Sequence, residues 1–300
     1  MAYFLGIDGG GSKTTAMIGD ETAVLASATA GGSNVIRSGE EQARKNLQQT
    51  IREACSAAQM RPEQIARVCV GTAGAGRPQV AEAVRRMVRE LVPVEIKVVG
   101  DAIIALQAAF DGGEGIVVIA GTGSIAYGRN QQGQTARAGG WGYAISDEGS
   151  GHWIGRTAVS AALRAHDEGE SSRVFHLVCK AWALQGIDDL VRAANAVPPP
   201  DFATLVPSVL EAADGGDALA RSVLTQAGTE LATLAKMVIG RIFSQRASVP
   251  VATSGGIFRN SALVRQVFYN SLRSEYPDAK VASSVIEPVK GALALARAGL

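Results

Sequence analysis

The sequence predicts an α/β chain of two lobes, each carrying a mixed sheet flanked by helices. Three observations lead there. Short β-branched runs open the chain, with Tyr3 to Asp8 and Lys13 to Ile18 forming a hairpin and Thr22 to Thr29 a third strand. Strand and helix then alternate as far as Phe110. After the linker Asp111-Gly112-Gly113-Glu114-Gly115, the opening layout begins again: Gly115 to Ala120, the turn Gly121-Thr122-Gly123-Ser124, Ile125 to Arg129 and Gln134 to Ala138. A duplicated order of strand, glycine-and-hydroxyl turn, strand, turn, strand says more than either turn alone. The linker sets the expected boundary, giving lobes of residues 1–112 and 113–300, because small flexible residues collect where few contacts cross.

Each element has a local reason. Ser38 and Glu41 form a capping box ahead of a helix with the apolar stripe Ala43, Leu47, Ile51, Ala54, Cys55 and Ala58. Arg67 to Thr72 reads as a buried strand, Pro78 opens a helix, Val94 to Val99 is a strand, and Gly100-Asp101 leads into a helix over Ala102 to Phe110. In the second half, Gly139 to Trp153 is too rich in glycine for a regular element and reads as a functional loop. Helices follow over Trp153 to Arg164, Arg173 to Ala183, Ile187 to Asn195, Ala203 to Ala213 and Ala218 to Phe243. Val249 to Thr253 is a strand, Ser261 to Leu272 a helix, and Pro288 introduces a terminal helix, 288–300, apolar almost all round and therefore buried.

Composition narrows the function. With 47% hydrophobic and 19% charged residues, the 300-residue chain is an ordinary globular sequence, long enough for two domains. The net charge of +1 leaves no basic footprint for nucleic acid or a membrane surface. No apolar run approaches the roughly 20 residues that span a bilayer, and the first residues enter a strand without a signal-peptide pattern. Cys55, Cys69 and Cys179 are isolated, which argues against a disulfide framework and fits the cytoplasm. His152, His166 and His176 show no zinc spacing.

The chemistry concentrates in Gly6-Ile7-Asp8-Gly9-Gly10-Gly11-Ser12-Lys13-Thr14-Thr15, a composition that suits a phosphate grip. Glycines let backbone N–H groups approach anionic oxygens, and a hydroxyl and an ammonium add donors. A P-loop is excluded because Ser12 separates Gly11 from Lys13 and a strand follows where that motif needs a helix. A hairpin without ligand has the same composition, so the grip gains weight from its duplicate at Gly121 to Ser124. Asp101, at the carboxyl end of a strand, stands where α/β sheets place catalytic groups, but Asp is also a favoured helix cap. Asp8 has the hard oxygen that Mg²⁺ prefers, and serves equally as a turn acid.

Together these stretches resemble the N-acetylglucosamine kinase and glucosamine kinase family, grouped with the BadF/BadG/BcrA/BcrD ATPases in the actin-like, ribonuclease H-like sugar kinase superfamily. The matching segments are Gly6 to Thr14, Gly31-Gly32-Ser33-Asn34, Gly100-Asp101, Gly121 to Ser124, Gly140-Trp141-Gly142 with Asp147-Glu148-Gly149, and Ser254-Gly255-Gly256. The resemblance implies ATP and Mg²⁺, and an amino sugar phosphorylated at its 6-hydroxyl. It makes Asp101 the general base and Asp8 the metal's residue. Phosphate contacts fall to Gly9, Gly10, Gly11 and Ser12 in one lobe and Gly121, Thr122 and Gly123 in the other, with Gly255 and Gly256 at adenosine. Lys13 neutralises phosphate or points to solvent. Sugar contacts fall to Asn34, Thr72, Gly140, Gly142 and Asp147, while Trp141 covers a sugar face or packs the loop. The terminal helix is expected to pack back on the first lobe, and a homodimer is the expected assembly. N-acetylglucosamine leads over glucosamine and N-acetylmuramic acid. Two other classes stand behind it: an iron–sulfur activator of a dehydratase, weakened by the unpaired cysteines, and a non-catalytic sugar sensor.

Overall fold

A computed structural model describes residues 2–244 and 248–299. The chain forms two compact units: one takes the residues up to Val117, Tyr127–Thr135 and those from Ser284 on, the other Val118–Ala126 and Ala136–Ser283.

The first unit is built on a five-stranded sheet of β1 (Tyr3–Gly9), β2 (Lys13–Gly19), β3 (Val24–Gly31), β4 (Ile65–Thr72) and β5 (Glu95–Val99), in the order β3-β2-β1-β4-β5. β1 pairs antiparallel with β2 and parallel with β4, and β4 runs parallel with β5. Helices α1 (Val35–Ala57) and α2 (Pro78–Arg89) bury Leu47, Ile51, Val84 and Met87 against one face, over Leu5, Ile7, Ile18 and Val70. α3 (Asp101–Phe110) and the terminal α11 (Pro288–Ala298) share a second core with Phe4, Met17, Cys69, Ile104, Val289 and Leu293.

That second core is possible only because three glycines leave room. A Cβ on Gly6 would overlap the Leu293 backbone, one on Gly71 the Ile104 side chain, and one on Gly291 the Ile104 carbonyl oxygen. At Gly6 and Gly291 backbone meets backbone, so no side chain there can rotate away. Gly291→Ala is therefore expected to cost about 1–3 kcal/mol, as overpacking in a dense core does. Gly76→Ala is the control, since its Cβ meets nothing within 4 Å. Equal denaturation midpoints for the two variants would refute the packing argument.

The second sheet carries β6 (Gly115–Ala120), β7 (Ser124–Arg129), β8 (Thr135–Gly139), β9 (Pro250–Ser254) and β10 (Lys280–Ile286), in the order β10-β9-β6-β7-β8. Helices α4 (Gly151–Asp167), α5 (Arg173–Ala181), α6 (Ile187–Ala194), α7 (Val206–Asp214), α8 (Ala218–Ile242), α9 (Gly256–Asn260) and α10 (Ala262–Arg273) accompany it. Phe258 and Phe268 stack edge to face in its core, ring centroids 5.1 Å apart.

Four local expectations change. The first helix starts at Val35, because the Asn34 side chain accepts from the Ile36 N–H at 3.0 Å and caps it; Gly39, at φ 75°, then breaks the helix where Ser38 was to cap it. The helix expected over Ala203 to Ala213 divides into a 3-10 turn, Phe202–Leu205, and α7. α4 starts at Gly151, with the Ser150 hydroxyl accepting from the Trp153 N–H at 3.2 Å, so Gly151 and His152 leave the loop for the helix. β10 is an addition, a largely exposed edge strand in a stretch with no expected element.

Candidate active site

Strand register places the first cluster. Asp8 lies opposite Gly71 on β4, Gly71 lies opposite Val99 on β5, and all three strands run parallel. Asp8, Thr72 and Asp101 therefore lie at one edge of the sheet, the carboxyl edge, where open α/β sheets bind ligands. Two strand spacings, roughly 10 Å, separate β1 from β5.

The first glycine turn is held by hydroxyls. The Gly10 N–H donates to the Lys13 carbonyl at 3.0 Å, and the Gly10 carbonyl accepts from the Ser33 N–H at 3.1 Å. Buried Thr14 donates to the Ser33 hydroxyl at 2.7 Å, and Thr72 donates to the Gly9 carbonyl at 3.1 Å. Gly32 lies so close to Gly11 that a Cβ would overlap its carbonyl oxygen, and Asn46 of α1 donates to the Gly32 carbonyl at 2.6 Å. Gly31 to Ser33 thus act as a strap under Gly9 to Gly11. Ser12 and Lys13 stand exposed at the tip, so Lys13 keeps both of its readings. Thr72 and Asn34, expected at the sugar, each spend one polar atom on this scaffold: Thr72 its proton, Asn34 its amide oxygen as cap.

Asp101 is the first residue of α3, with Gly100 in the cap position. Its Oδ1 accepts from the Ala102 N–H at 2.9 Å. Desolvation pushes its carboxyl above the usual carboxylate range, against the pull of that backbone donor and its own N–H. Among the described residues no cation forms an ion pair with it. A desolvated acid with no structural ion pair marks a functional candidate.

In the second unit, the turn Gly121 to Ser124 is stitched to the head of α4. The Gly151 N–H donates to the Gly121 carbonyl at 2.8 Å, His152 N–H to Thr122 at 3.2 Å, and the Ser124 hydroxyl to the Glu148 carbonyl at 2.7 Å. The helix dipole still favours an anion near that end, although these amides are already engaged. Gly121 itself faces open space, since a Cβ there meets nothing within 4 Å. Packing gives no reason for that glycine, whereas a ligand pressed against the backbone would. Gly255, at φ 101°, sits so near that a Cβ would overlap the Ala120 carbonyl oxygen, and Gly256 opens α9. The turn and the Gly255-Gly256 corner are therefore neighbours.

The sugar loop joins the same assembly. Asp147 is buried at φ 68°, and a Cβ on Gly123 would lie 2.9 Å from its Oδ2. Gly140 and Gly142 both have positive φ, 71° and 105°. Trp141 is 66% exposed, with the Arg137 guanidinium 3.8 Å from its ring centroid. Both of its readings stand: the Arg137 contact packs the ring, and its exposure leaves area for a ligand. Tyr143, His152 and Phe202 form an aromatic chain beside it, at centroid spacings of 4.8 and 5.3 Å. The residues that sequence reasoning did not assign are the supports: Thr14, Ser33, Ser124, Ser150 and Arg137. The first four share a signal, a buried hydroxyl in or beside a glycine-rich run.

The cysteines make no cluster. Cys55, Cys69 and Cys179 are buried on α1, β4 and α5. Burial pushes the Cys55 thiol up to about 11 and the Cys69 thiol to about 12, far from thiolate chemistry.

Residues 5–296 match the model of the BadF/BadG/BcrA/BcrD ATPase family. The chain belongs to this family. A relative named N-acetylmuramic acid/N-acetylglucosamine kinase, from Clostridium acetobutylicum, is 36% identical over 302 residues, covering 99% of both chains. An N-acetyl-D-glucosamine kinase from Dictyostelium discoideum is 28% identical, covering 98% of this chain and 97% of its own. A solved structure of a candidate N-acetylglucosamine kinase from Chromobacterium violaceum superposes with a TM-score of 0.80 at 26% identity, covering 98% and 99% of the two chains. The fold of this family member is accordingly the actin-like sugar kinase fold, and the family description makes it an ATPase-type protein. Among the described residues, no helix is long and apolar enough to cross a membrane.

Proposed function

We propose that the chain is an ATP-dependent amino-sugar kinase that phosphorylates the 6-hydroxyl of N-acetylglucosamine. The observation that carries this is Asp101, a desolvated carboxyl without an ion pair, at the carboxyl edge that also holds Asp8 and the strapped glycine turn. Amino-sugar kinase names among full-length relatives support the substrate class.

Phosphoryl transfer asks the protein for position and charge more than for covalent work. Asp101 accepts the proton of the sugar 6-hydroxyl as its oxygen bonds to the γ-phosphorus and the bond to the bridging oxygen breaks, releasing ADP. In this reading the turn Gly9 to Ser12 and the turn Gly121 to Gly123 each face phosphate oxygens, although the Gly10 N–H is held by the Lys13 carbonyl and the Gly121 N–H by the Gly123 carbonyl and neither is a donor to them. Gly255 and Gly256 leave the corner beside the second turn free of side chains for adenosine. Asp8 fits Mg²⁺, which binds through one or two carboxylates plus substrate phosphates and needs no dedicated protein cage. Bound there, Mg²⁺ would supply charge neutralisation.

Asp147, Asn34 and the Gly140 to Gly142 backbone are the sugar contacts in this reading, with Trp141 offering its uncovered face. Asp147→Ala is expected to weaken N-acetylglucosamine binding by about tenfold or more, since a hydrogen bond to a charged group contributes about 1.5–3 kcal/mol. Calorimetry that finds unchanged affinity removes Asp147 from the site. The reading as a whole is tested by ADP release across N-acetylglucosamine, glucosamine, N-acetylmuramic acid and glucose. N-acetylglucosamine should give the highest kcat/KM. A preference for N-acetylmuramic acid or glucosamine shifts the substrate within the class, and activity on glucose alone overturns it.

A further inference from the structure

The first unit contains a cavity of about 260 Å³ that the proposed reaction does not use. Ile103 and Leu106 of α3, Leu295 of α11 and Tyr127 of β7 form apolar walls, and Lys97 of β5 and Arg129 of β7 bring two cations to it. Every one of these residues lies within the first unit.

Two features set it apart from a packing defect. Arg129 is half-buried and positioned by donating Nη2 to the Gly113 carbonyl at 3.0 Å, and Lys97 is half-buried on its strand. Among the described residues, neither forms an ion pair with a carboxylate. Half-buried cations without countercharge carry a desolvation cost that an anion would offset. The second feature is Ile103, 40% exposed on α3 beside those cations, apolar surface with nothing over it. Positive charge beside apolar walls selects an anion with an apolar body. At interior packing density the volume accommodates roughly ten non-hydrogen atoms.

We infer that this cavity is a binding site for a small organic phosphate monoester with a compact apolar body. Its phosphate would accept charge-assisted hydrogen bonds from the Lys97 ammonium and the Arg129 guanidinium, the two cations that line the cavity. Its body would lie on Ile103, Leu106 and Leu295. Because α3 begins with Asp101, the occupant braces the helix that presents that carboxyl. Binding itself does not rest on the kinase reading.

Phenyl phosphate is the probe, titrated calorimetrically into the full chain without sugar. Saturable binding is expected, weakened about tenfold or more in Lys97→Gln and in Arg129→Gln, the loss that follows removal of one charged hydrogen-bond partner. Inorganic phosphate and phenol should each bind at least about tenfold more weakly than phenyl phosphate, since each lacks half of the recognition. A non-hydrolysable ATP analogue at saturation should leave the binding in place. No saturable binding, an affinity in both variants equal to the parent's, or displacement by the ATP analogue would each overturn the site. Circular dichroism of the two variants, expected to match the parent, keeps a folding defect from passing for a binding defect.

Discussion

Asp101→Asn is expected to lower turnover by about 10² to 10⁴, the range a general base supplies, while leaving the protein folded. The amide keeps the shape and an acceptor for the Ala102 N–H that Oδ1 now accepts at 2.9 Å. KM values for ATP and sugar should move little, because the contact counts chiefly in the transition state. Stability should not fall at neutral pH, and the direction of the pKa shift says why. A carboxyl with a folded pKa raised above its unfolded value costs stability when ionised. That cost is present above the folded pKa and relieved as pH falls through it and below the unfolded value. Removing the carboxyl removes the cost, so the melting temperature at neutral pH should hold or rise. In the parent, the acid limb of kcat/KM should lie above the ordinary aspartate value, since protonation silences the base. Near-normal turnover in the variant would withdraw the assignment.

Gly121→Val should separate nucleotide binding from folding. A Cβ at this position meets nothing within 4 Å, and its φ is not in the left-handed region, so the melting temperature should be unchanged. An isopropyl group on the turn would nevertheless stand where phosphate oxygens approach the backbone. KM for ATP is expected to rise about tenfold or more, with the sugar KM nearly constant. Gly255→Val is the opposite case: positive φ and the Ala120 carbonyl together make it a folding defect before it is a binding defect. A valine at Gly121 that alters neither ATP affinity nor turnover would exclude the second turn from the nucleotide site.

Most of the fold could be read in the sequence, and the stretches proposed for the site stand out in it, because their signals are local. A turn of glycines between β-branched runs, a proline at the first helical position and an acid after a strand each announce themselves within a few residues. The misreadings have different physics. β10 buries little, so its Lys280–Ile286 stretch lacks the apolar alternation that marks a half-buried strand. Ser38 and Glu41 fit a capping box, yet Asn34 is as good a cap four residues earlier, and the backbone at Gly39 decided between them. The supporting hydroxyls of Thr14, Ser33 and Ser124 escape assignment because their partners lie far along the chain, Thr14 with Ser33 and Ser124 with Glu148. Arg137 stacked on Trp141 is likewise a tertiary fact: only the turn at Gly139 and Gly140 brings the two together.

The close backbone passage of Gly6 and Gly291 also bears on how the chain is made. β1 emerges from the ribosome far ahead of α11, yet one of its faces is covered by that helix, Leu293 lying against Gly6. Phe4, Met17 and Cys69 must wait for Val289 and Leu293 before that surface is dry. Elongation at about 5–20 residues per second makes the delay tens of seconds, during which the first sheet is one-sided and sticky. The second sheet waits too, since β6 is flanked by β9, but β9 is complete before α11 is made. The first unit therefore closes its second core only once α11 has been made.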